Sequence, residues 1–363
     1  MKNLLVLNTG SSSIKLSLFE NSTKKIFSGK LERIGTDKSN ILFNQEEIFI
    51  KAENFSQAVK EIFKFLETHN LKFDVIAHRI VHGGPIKKTS KVDKKVEQTI
   101  QDYIEFAPLH NQPALTVIDN CKKMNKPQYV SFDTAFFSEL PEVASTYPIP
   151  LQISKKYHLK KYGFHGLSHR FISQGLKGKT ITCHLGNGCS ITAILNGKPL
   201  DTSMGLTPLE GLMMGSRSGD IDAGLVIYLS KKGYDVNKIL NFESGLFAFS
   251  GKTDIRETLQ NLDKPQIKLG FDIFIYRLVK YIGAYTAVLN GLDNLVFAGG
   301  IAENVPLLRE EICKNFKYIN LELDKQKNNK NEELISSKSS KVNVYVRKTD
   351  EESEIAREVY ELT

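Results

Sequence analysis

The sequence predicts an α/β protein built from two similar halves. Three observations carry that expectation: a strand-turn-strand pattern recurs half a chain apart, apolar strands alternate with helical patterns, and 363 residues exceed one ordinary core.

In the first half, residues 4–8 read as a buried strand and residues 13–19 alternate as the second arm of a hairpin. A third strand is predicted over residues 25–31, after a turn at Glu20, Asn21 and Ser22. Phe55, Ala58, Val59, Ile62, Phe63 and Leu66 recur at helical spacing, and residues 75–81 form a strand that runs into Gly83-Gly84-Pro85. Another apolar strand, residues 129–132, ends on Asp133, and the ends of such strands are where α/β folds place ligand groups. The second half repeats the opening. Residues 180–185 are a strand, residues 186–190 a Gly-rich polar turn, and residues 191–195 the returning strand. Aligning Ser190-Ile191 on Ser13-Ile14 gives an offset of 190 − 13 = 177 residues. Residues 267–289 carry a long helical pattern, and Leu295, Val296 and Phe297 form a strand ending in Ala298-Gly299-Gly300. Residues 324–341, rich in Lys, Asn and Ser, read as an exposed loop. Thr349 followed by Glu352 reads as a capping box for a closing helix with an apolar stripe of Ile355, Ala356, Val359 and Leu362.

Composition narrows the class. Hydrophobic content of 41% and charged content of 25% are those of an ordinary globule. Cys121, Cys183, Cys189 and Cys313 form no CxxC pair and no dense framework, which argues against a zinc ribbon or secreted scaffold. No leader-like or membrane-spanning apolar segment is present, so the cytoplasm is expected and a membrane is not. The net charge of +8 comes from dispersed lysines without interleaved aromatics, which reads as solvated faces, not a nucleic-acid surface.

Several places could bind anions. The turn from Asn8 to Lys15 offers backbone N–H groups, hydroxyls and a lysine, without the spacing of a Walker loop; alone, a plain hairpin turn accounts for it equally well. The parallel turn Gly186 to Ser190 after His184, and Gly299-Gly300 after a strand, strengthen the phosphate reading. Arg79 lies at a strand end beside glycines and Arg217 between small residues, where a guanidinium can reach phosphate or carboxylate. For Arg79 a surface ion pair is the plainer account. His165 and His169 have a zinc-like H-x-x-x-H spacing, but Gly166 stands where a metalloprotease needs Glu, so zinc is not expected.

Together these motifs resemble the acetokinase family, the acetate kinases of the actin, sugar-kinase and chaperone-ATPase superfamily. The resemblance rests on VLNTGSSSIK (6–15), HRIVHGG (78–84), APLHN (107–111), FDTAF (132–136), YGFHG (162–166), HLGNG (184–188), MGLTPLEGLMMGSRSGDID (204–222), GGIAEN (299–304) and TDEE (349–352). It implies two actin-like (ribonuclease H-like) domains related by duplication, with a nucleotide cleft between them. One domain would hold residues 1–147 plus a C-terminal helix at 349–363, and the other residues 148–348. It implies phosphoryl transfer between ATP and acetate, giving ADP and acetyl phosphate, with a place in acetyl-CoA biosynthesis; because acetate is already ionised at pH 7, direct in-line attack is the mechanism expected. Asp133, His165, Arg217 and Arg79 would be catalytic, His165 and Arg217 stabilising the transition state, with His110 and His184 nearby. Arg79, Val81, Leu109, Phe164 and Pro208 would hold the acid. Lys15, His184, Leu185, Gly186, Asn187, Gly188, Asp254, Ile255, Arg256, Gly299, Gly300, Ile301, Ala302 and Asn304 would contact the nucleotide. Asn8 and Glu351, with Glu352 as substitute, would bind Mg2+, with Mn2+ the alternative ion, in a homodimer that engages neither nucleic acid nor membrane. Propionate or butyrate kinase is the neighbouring activity, and a non-catalytic actin-like ATP-binding module the distant one. The chain departs from the family pattern at Phe137, Lys252-Thr253, Ala302 and Lys348.

Overall fold

The computed structural model describes residues 2–21, 24–44 and 46–362, and the chain divides into two compact units. One is Met1–Ser138 with Asp350–Thr363, the other Glu139–Thr349. The first division thus falls ahead of residue 147, where the sequence reading drew it.

The first unit is built on an eight-stranded sheet of order β5-β4-β3-β2-β1-β6-β8-β7. Its strands are β1 (Leu4–Thr9), β2 (Ile14–Glu20), β3 (Lys24–Glu32), β4 (Asn40–Phe43), β5 (Glu46–Phe49), β6 (Val75–Ile80), β7 (Ser90–Lys91) and β8 (Gln128–Phe132). The unbroken apolar run of β1 is buried at every residue, as a central strand covered on both faces requires. It pairs antiparallel with β2 and parallel with β6, which in turn pairs parallel with β8. In the turn after β2, Asn21 takes a left-handed conformation, and Ser22 lies outside the described residues. The helix Phe55–Thr68 starts where Asn54 Oδ1 accepts from Gln57 N, and buries Ala58, Val59, Ile62, Phe65 and Leu66. Phe65 takes the core place expected of Phe63, which is only partly buried.

The second unit has a five-stranded sheet of order β11-β10-β9-β12-β13. Here β9 is Lys179–Leu185, β10 Cys189–Leu195, β11 Lys198–Thr202, β12 Asn294–Ala298 and β13 Asn343–Val346. Strand β9 pairs antiparallel with β10 and parallel with β12, and β12 parallel with β13. That is the pairing pattern of β3-β2-β1-β6-β8, so the duplication seen in the hairpin turns extends through both sheets. The long helix spans Pro265–Val288, with Pro265 in its first turn.

Two expectations are corrected. Residues 324–341 are not a plain exposed loop: Lys325–Asn329 is helical, Ile335 is buried, and Asn328 is buried where it accepts from the Arg309 guanidinium. Among the described residues carbonyl and amide oxygens satisfy the buried Arg309, and the Asn-rich segment supplies most of them through Asn328 and Asn331. The closing helix, Glu351–Tyr360, is capped by Asp350 and not by Thr349, and Leu362 is exposed. Thr349 instead bonds Ser168 Oγ at 2.9 Å. Among the described residues no helix is long and apolar enough to cross a membrane, and all four cysteines are free and buried.

Asp350 accepts from Ser353 N at 3.0 Å and pairs with Lys25 Nζ at 2.7 Å. Burial opposes its charge, but the Lys25 and Ser353 hydrogen bonds prevail and hold its pKa below the ordinary carboxylate value. Its stabilisation is therefore full above that ordinary value and is lost as pH falls through the lowered one. Asp350→Ala should cost about 1 kcal/mol at pH 7 and distinctly less near pH 2. Urea midpoints at the two pH values check this, and equal losses would remove the charge from the explanation.

Candidate active site

In the first unit, the ends of three neighbouring strands carry polar side chains. Asn8 is near the end of β1, Arg79 near the end of β6, and Asp133 directly follows β8. Asp133 grips Arg79 bidentately, Oδ1 accepting from Nε at 2.9 Å and Oδ2 from Nη2 at 2.7 Å. Arg79 Nη1 lies 3.2 Å from Asn8 Oδ1 and 3.0 Å from Glu351 Oε2. Asn8 Nδ2 donates to Glu351 at 2.9 Å and to Glu352 at 2.6 Å. Burial would lower the Arg79 pKa, but the charges of Asp133 and Glu351 outweigh it and raise the pKa. One guanidinium thus faces three buried carboxylates. The surface ion pair considered for Arg79 is excluded, since its side chain is 14% exposed and its partner Asp133 is 1% exposed. Among the described residues no group of three or more His, Cys, Asp or Glu is placed to cage a metal. The hard oxygens of Asn8 and Glu351 do fit an ion that keeps most of its waters, as Mg2+ does. Val81 is buried nearby in sequence, whereas Leu109, in the first turn of Pro108–Cys121, is 52% exposed. Lys15 stands on β2 and lines a separate cavity of about 360 Å³ with Lys25, Lys30 and Glu352.

In the second unit, Phe164 is buried and His165 adopts a left-handed φ of +57° just before the helix Gly166–Ser173. A non-glycine residue is held there only by its surroundings. His165 Nδ1 bonds Ser190 Oγ at 2.8 Å, and its ring stacks on His184 at 4.3 Å between centroids. His184 Nδ1 bonds Ser168 Oγ at 2.8 Å. A Cβ built on Gly188 would lie 3.3 Å from His165 Nε2 and 3.6 Å from Arg217 Nη1, so both nitrogens crowd one point over the Gly186–Gly188 turn.

Arg217 is fixed from behind, Nη1 donating to Pro208 O at 2.9 Å. Among the described residues no carboxylate pairs with it, and burial lowers its pKa. Its loop is tied at a neck: Asp220 N donates to Gly211 O at 2.9 Å, Asp220 Oδ1 accepts from Gly211 N at 2.7 Å, and Tyr281 OH donates to Asp220 Oδ2 at 2.5 Å. Gly219, at φ +65°, passes so close to Gly211 that a Cβ would lie 2.4 Å from its carbonyl oxygen. A second tie joins Glu210 to the Tyr147 hydroxyl and, at 3.3 Å, to Lys161.

Beside the turn lies a cavity of about 390 Å³, lined by Gly186, Asn187, Thr253, Asp254, Ile255, Arg256, Gly300, Ile301 and Asn304. Its size is that of small-ligand sites, roughly 300–1,000 Å³. Thr253 is the one lining residue that the sequence reading did not assign to the nucleotide, having noted it only as a departure from the family pattern. Leu185 and Ala302 are buried behind it, and Gly299 at φ +86° lets the Gly299–Asn304 helix abut the end of β9. Gly300 faces open space. Asp254 caps Ile255–Leu259 and pairs with the exposed Arg256.

The sequence reading gave no role to Glu210, Asp220 or Tyr281, and of the partners of His165 it placed His184 nearby but not Ser190. Tyr281 and Asp220 lie 61 positions apart, beyond any local pattern.

A family model, the acetokinase family, matches residues 3–357. The chain is 42% identical to an acetate kinase from Campylobacter concisus over 98% of its length and 97% of the relative's, and 42% identical to one from Thermosipho melanesiensis over 99% and 97%. Among solved structures it resembles a propionate kinase from Francisella tularensis at a TM-score of 0.94 and 36% identity, over 99% of both chains. It resembles the acetate kinase of Porphyromonas gingivalis at a TM-score of 0.90 and 35% identity, over 100% of both.

Proposed function

Because the chain belongs to the acetokinase family, we propose that it is a phosphotransferase with a carboxyl acceptor, reversibly moving the γ-phosphoryl group of ATP to acetate by direct in-line attack. The observation that carries this reading is the Arg217 guanidinium, unpaired with any described carboxylate and set beside His165 Nε2 over a glycine turn: two donors converging where an anion's charge would gather.

Acetate is ionised at neutral pH, so the acceptor needs no base. Asp133 orients Arg79, and Arg79 turns toward the acceptor carboxylate. The Gly186–Gly188 backbone and Asn187 hold the phosphates, while the neighbouring cavity takes the nucleoside. Arg217 neutralises the charge that spreads over the equatorial oxygens of the loose transition state, and His165 donates a hydrogen bond to it. A divalent ion held by Asn8 and Glu351 would, when bound, offset phosphate charge. The role of receiving the methyl group falls to the apolar residues Val81, Leu109, Phe164 and Pro208, of which Val81 and Phe164 are buried. The enzyme works in the cytoplasm as a homodimer, which light scattering would test.

Incubation with ATP, Mg2+ and acetate, trapping acyl phosphate with hydroxylamine, should yield hydroxamate. A folded protein that binds ATP without product would instead be a binding module. Propionate is the second reading, favoured by the TM-score of 0.94 with a propionate kinase. One methylene discriminates by about 1–3 kcal/mol, so kcat/KM on acetate, propionate and butyrate should separate by roughly 10- to 200-fold. A maximum on propionate would replace acetate in the assignment.

A further inference from the structure

We infer that a buried chain of Thr182, His169 and Ser190 fixes the tautomer of His165, keeping the proton of the neutral ring on Nε2. The inference deepens the proposed role of His165 and rests on that reading.

Three contacts build the chain. Thr182 Oγ1 is 2.7 Å from His169 Nδ1, His169 Nε2 is 2.7 Å from Ser190 Oγ, and Ser190 Oγ is 2.8 Å from His165 Nδ1. Thr182, His169 and Ser190 are each 0% exposed, so water does not take over these bonds. A hydroxyl has one hydrogen and a neutral imidazole one N–H, which makes the direction of the chain a matter of counting. Among the described residues, the hydrogen-bond partner of Thr182 Oγ1 is the His169 ring. Its hydrogen therefore goes to Nδ1, which makes that nitrogen an acceptor and leaves the His169 proton on Nε2. Nε2 then donates to Ser190 Oγ. The Ser190 hydrogen goes to His165 Nδ1, and the proton of neutral His165 sits on Nε2. Running the chain backwards would leave the Thr182 hydrogen buried without an acceptor, which proteins avoid.

Two features support this direction. Burial, and then the neighbouring charge of His184, hold the His169 pKa well below its ordinary value, so His169 is neutral and can relay a tautomer. The groups around the His165 ring include His184 on β9, His169 on its own helix and Arg217 on the loop, nitrogen groups beside which a further positive charge is disfavoured. His165 Nε2–H is thus a neutral donor beside Arg217 Nη1, able to serve the transition state without carrying charge. Thr182, His169 and Ser190 are positioning residues; they act through His165.

Long-range 1H–15N correlation spectra of the full-length protein labelled at histidine test this. At a pH where the ring is neutral, His165 should show the Nε2–H pattern. Thr182→Val, two hydrogen bonds away, should convert His165 to a tautomer mixture and lower kcat in proportion to the Nε2–H population lost, with KM for ATP unchanged. Ser190→Ala should do the same more strongly, and Ser190→Thr, which keeps the hydroxyl, should restore the wild-type pattern. An Nδ1–H wild-type ring, or a His165 spectrum unmoved by Thr182→Val, overturns the inference. The wild-type spectrum decides it even if a variant fails to fold. Full turnover by His165→Asn would instead remove the catalytic role of His165 and leave the tautomer result standing.

Discussion

Arg217→Ala is expected to lower kcat by roughly 10³- to 10⁵-fold, the range by which one arginine accelerates phosphoryl transfer. The size follows from how the guanidinium is held. It is anchored to Pro208 O and touches Met214 Sδ at 3.6 Å, but pairs with no described carboxylate. Its charge is unspent until an anion arrives. The loop around it is tied independently, through Asp220 to Gly211 and Tyr281 and through Met214 N to Arg217 O at 3.1 Å. Truncating the side chain therefore removes one hydrogen bond to a carbonyl and orphans no charge, a loss of about 1 kcal/mol in stability. Lysine should not rescue turnover, because a point ammonium lacks the fork that reaches Pro208 O and an oxyanion together. Steady-state kinetics with a urea denaturation control test this. A loss below tenfold, with the fold intact, would take Arg217 out of the transition state.

The parts of this site that were legible in the sequence are those fixed by local pattern. The two hairpins announce themselves because an apolar run, a small-residue turn and a second apolar run lie within 20 residues in each half. Asp133 was legible for a similar reason, since its strand ends where the apolar run ends. What stayed hidden depends on distant partners. Thr349 and Asp350 are both good caps; Thr349 lost the role because its hydroxyl is engaged by Ser168, 181 positions away. The Asn-rich stretch after residue 324 gave no sign that Arg309 would need Asn328 and Asn331. His169 and Ser190 were visible as residues, yet their link exists only because β10 pairs with β9 and brings Ser190 opposite His184. A polar side chain's role depends on what completes its hydrogen bonds, and sequence spacing does not specify that across a sheet.

The same dependence makes Arg79→Ala the most destabilising substitution expected in the first unit. It leaves Asp133, Glu351 and Glu352, all buried, without the cation that binds two of them directly. Breaking a buried pair by removing one partner costs about 3–5 kcal/mol. The pH dependence has a definite sign. The Arg79 pKa is raised above an already strongly basic ordinary value, so in the wild type its contribution is full and does not change between pH 6 and 9. In the variant the penalty is repulsion among carboxylates, so it should shrink at acid pH, where those groups take up protons. Mg2+ should also recover part of the loss, since an ion bound at about 100 times its Kd returns about 2.7 kcal/mol. Urea midpoints at pH 4 and pH 7.5, with and without MgCl2, measure all three effects in the absence of substrate. A small loss at pH 7.5, or a large one indifferent to both protons and Mg2+, would mean that Arg79 does not neutralise this cluster. The Asn8–Glu351 oxygens would then lose their claim to a cation.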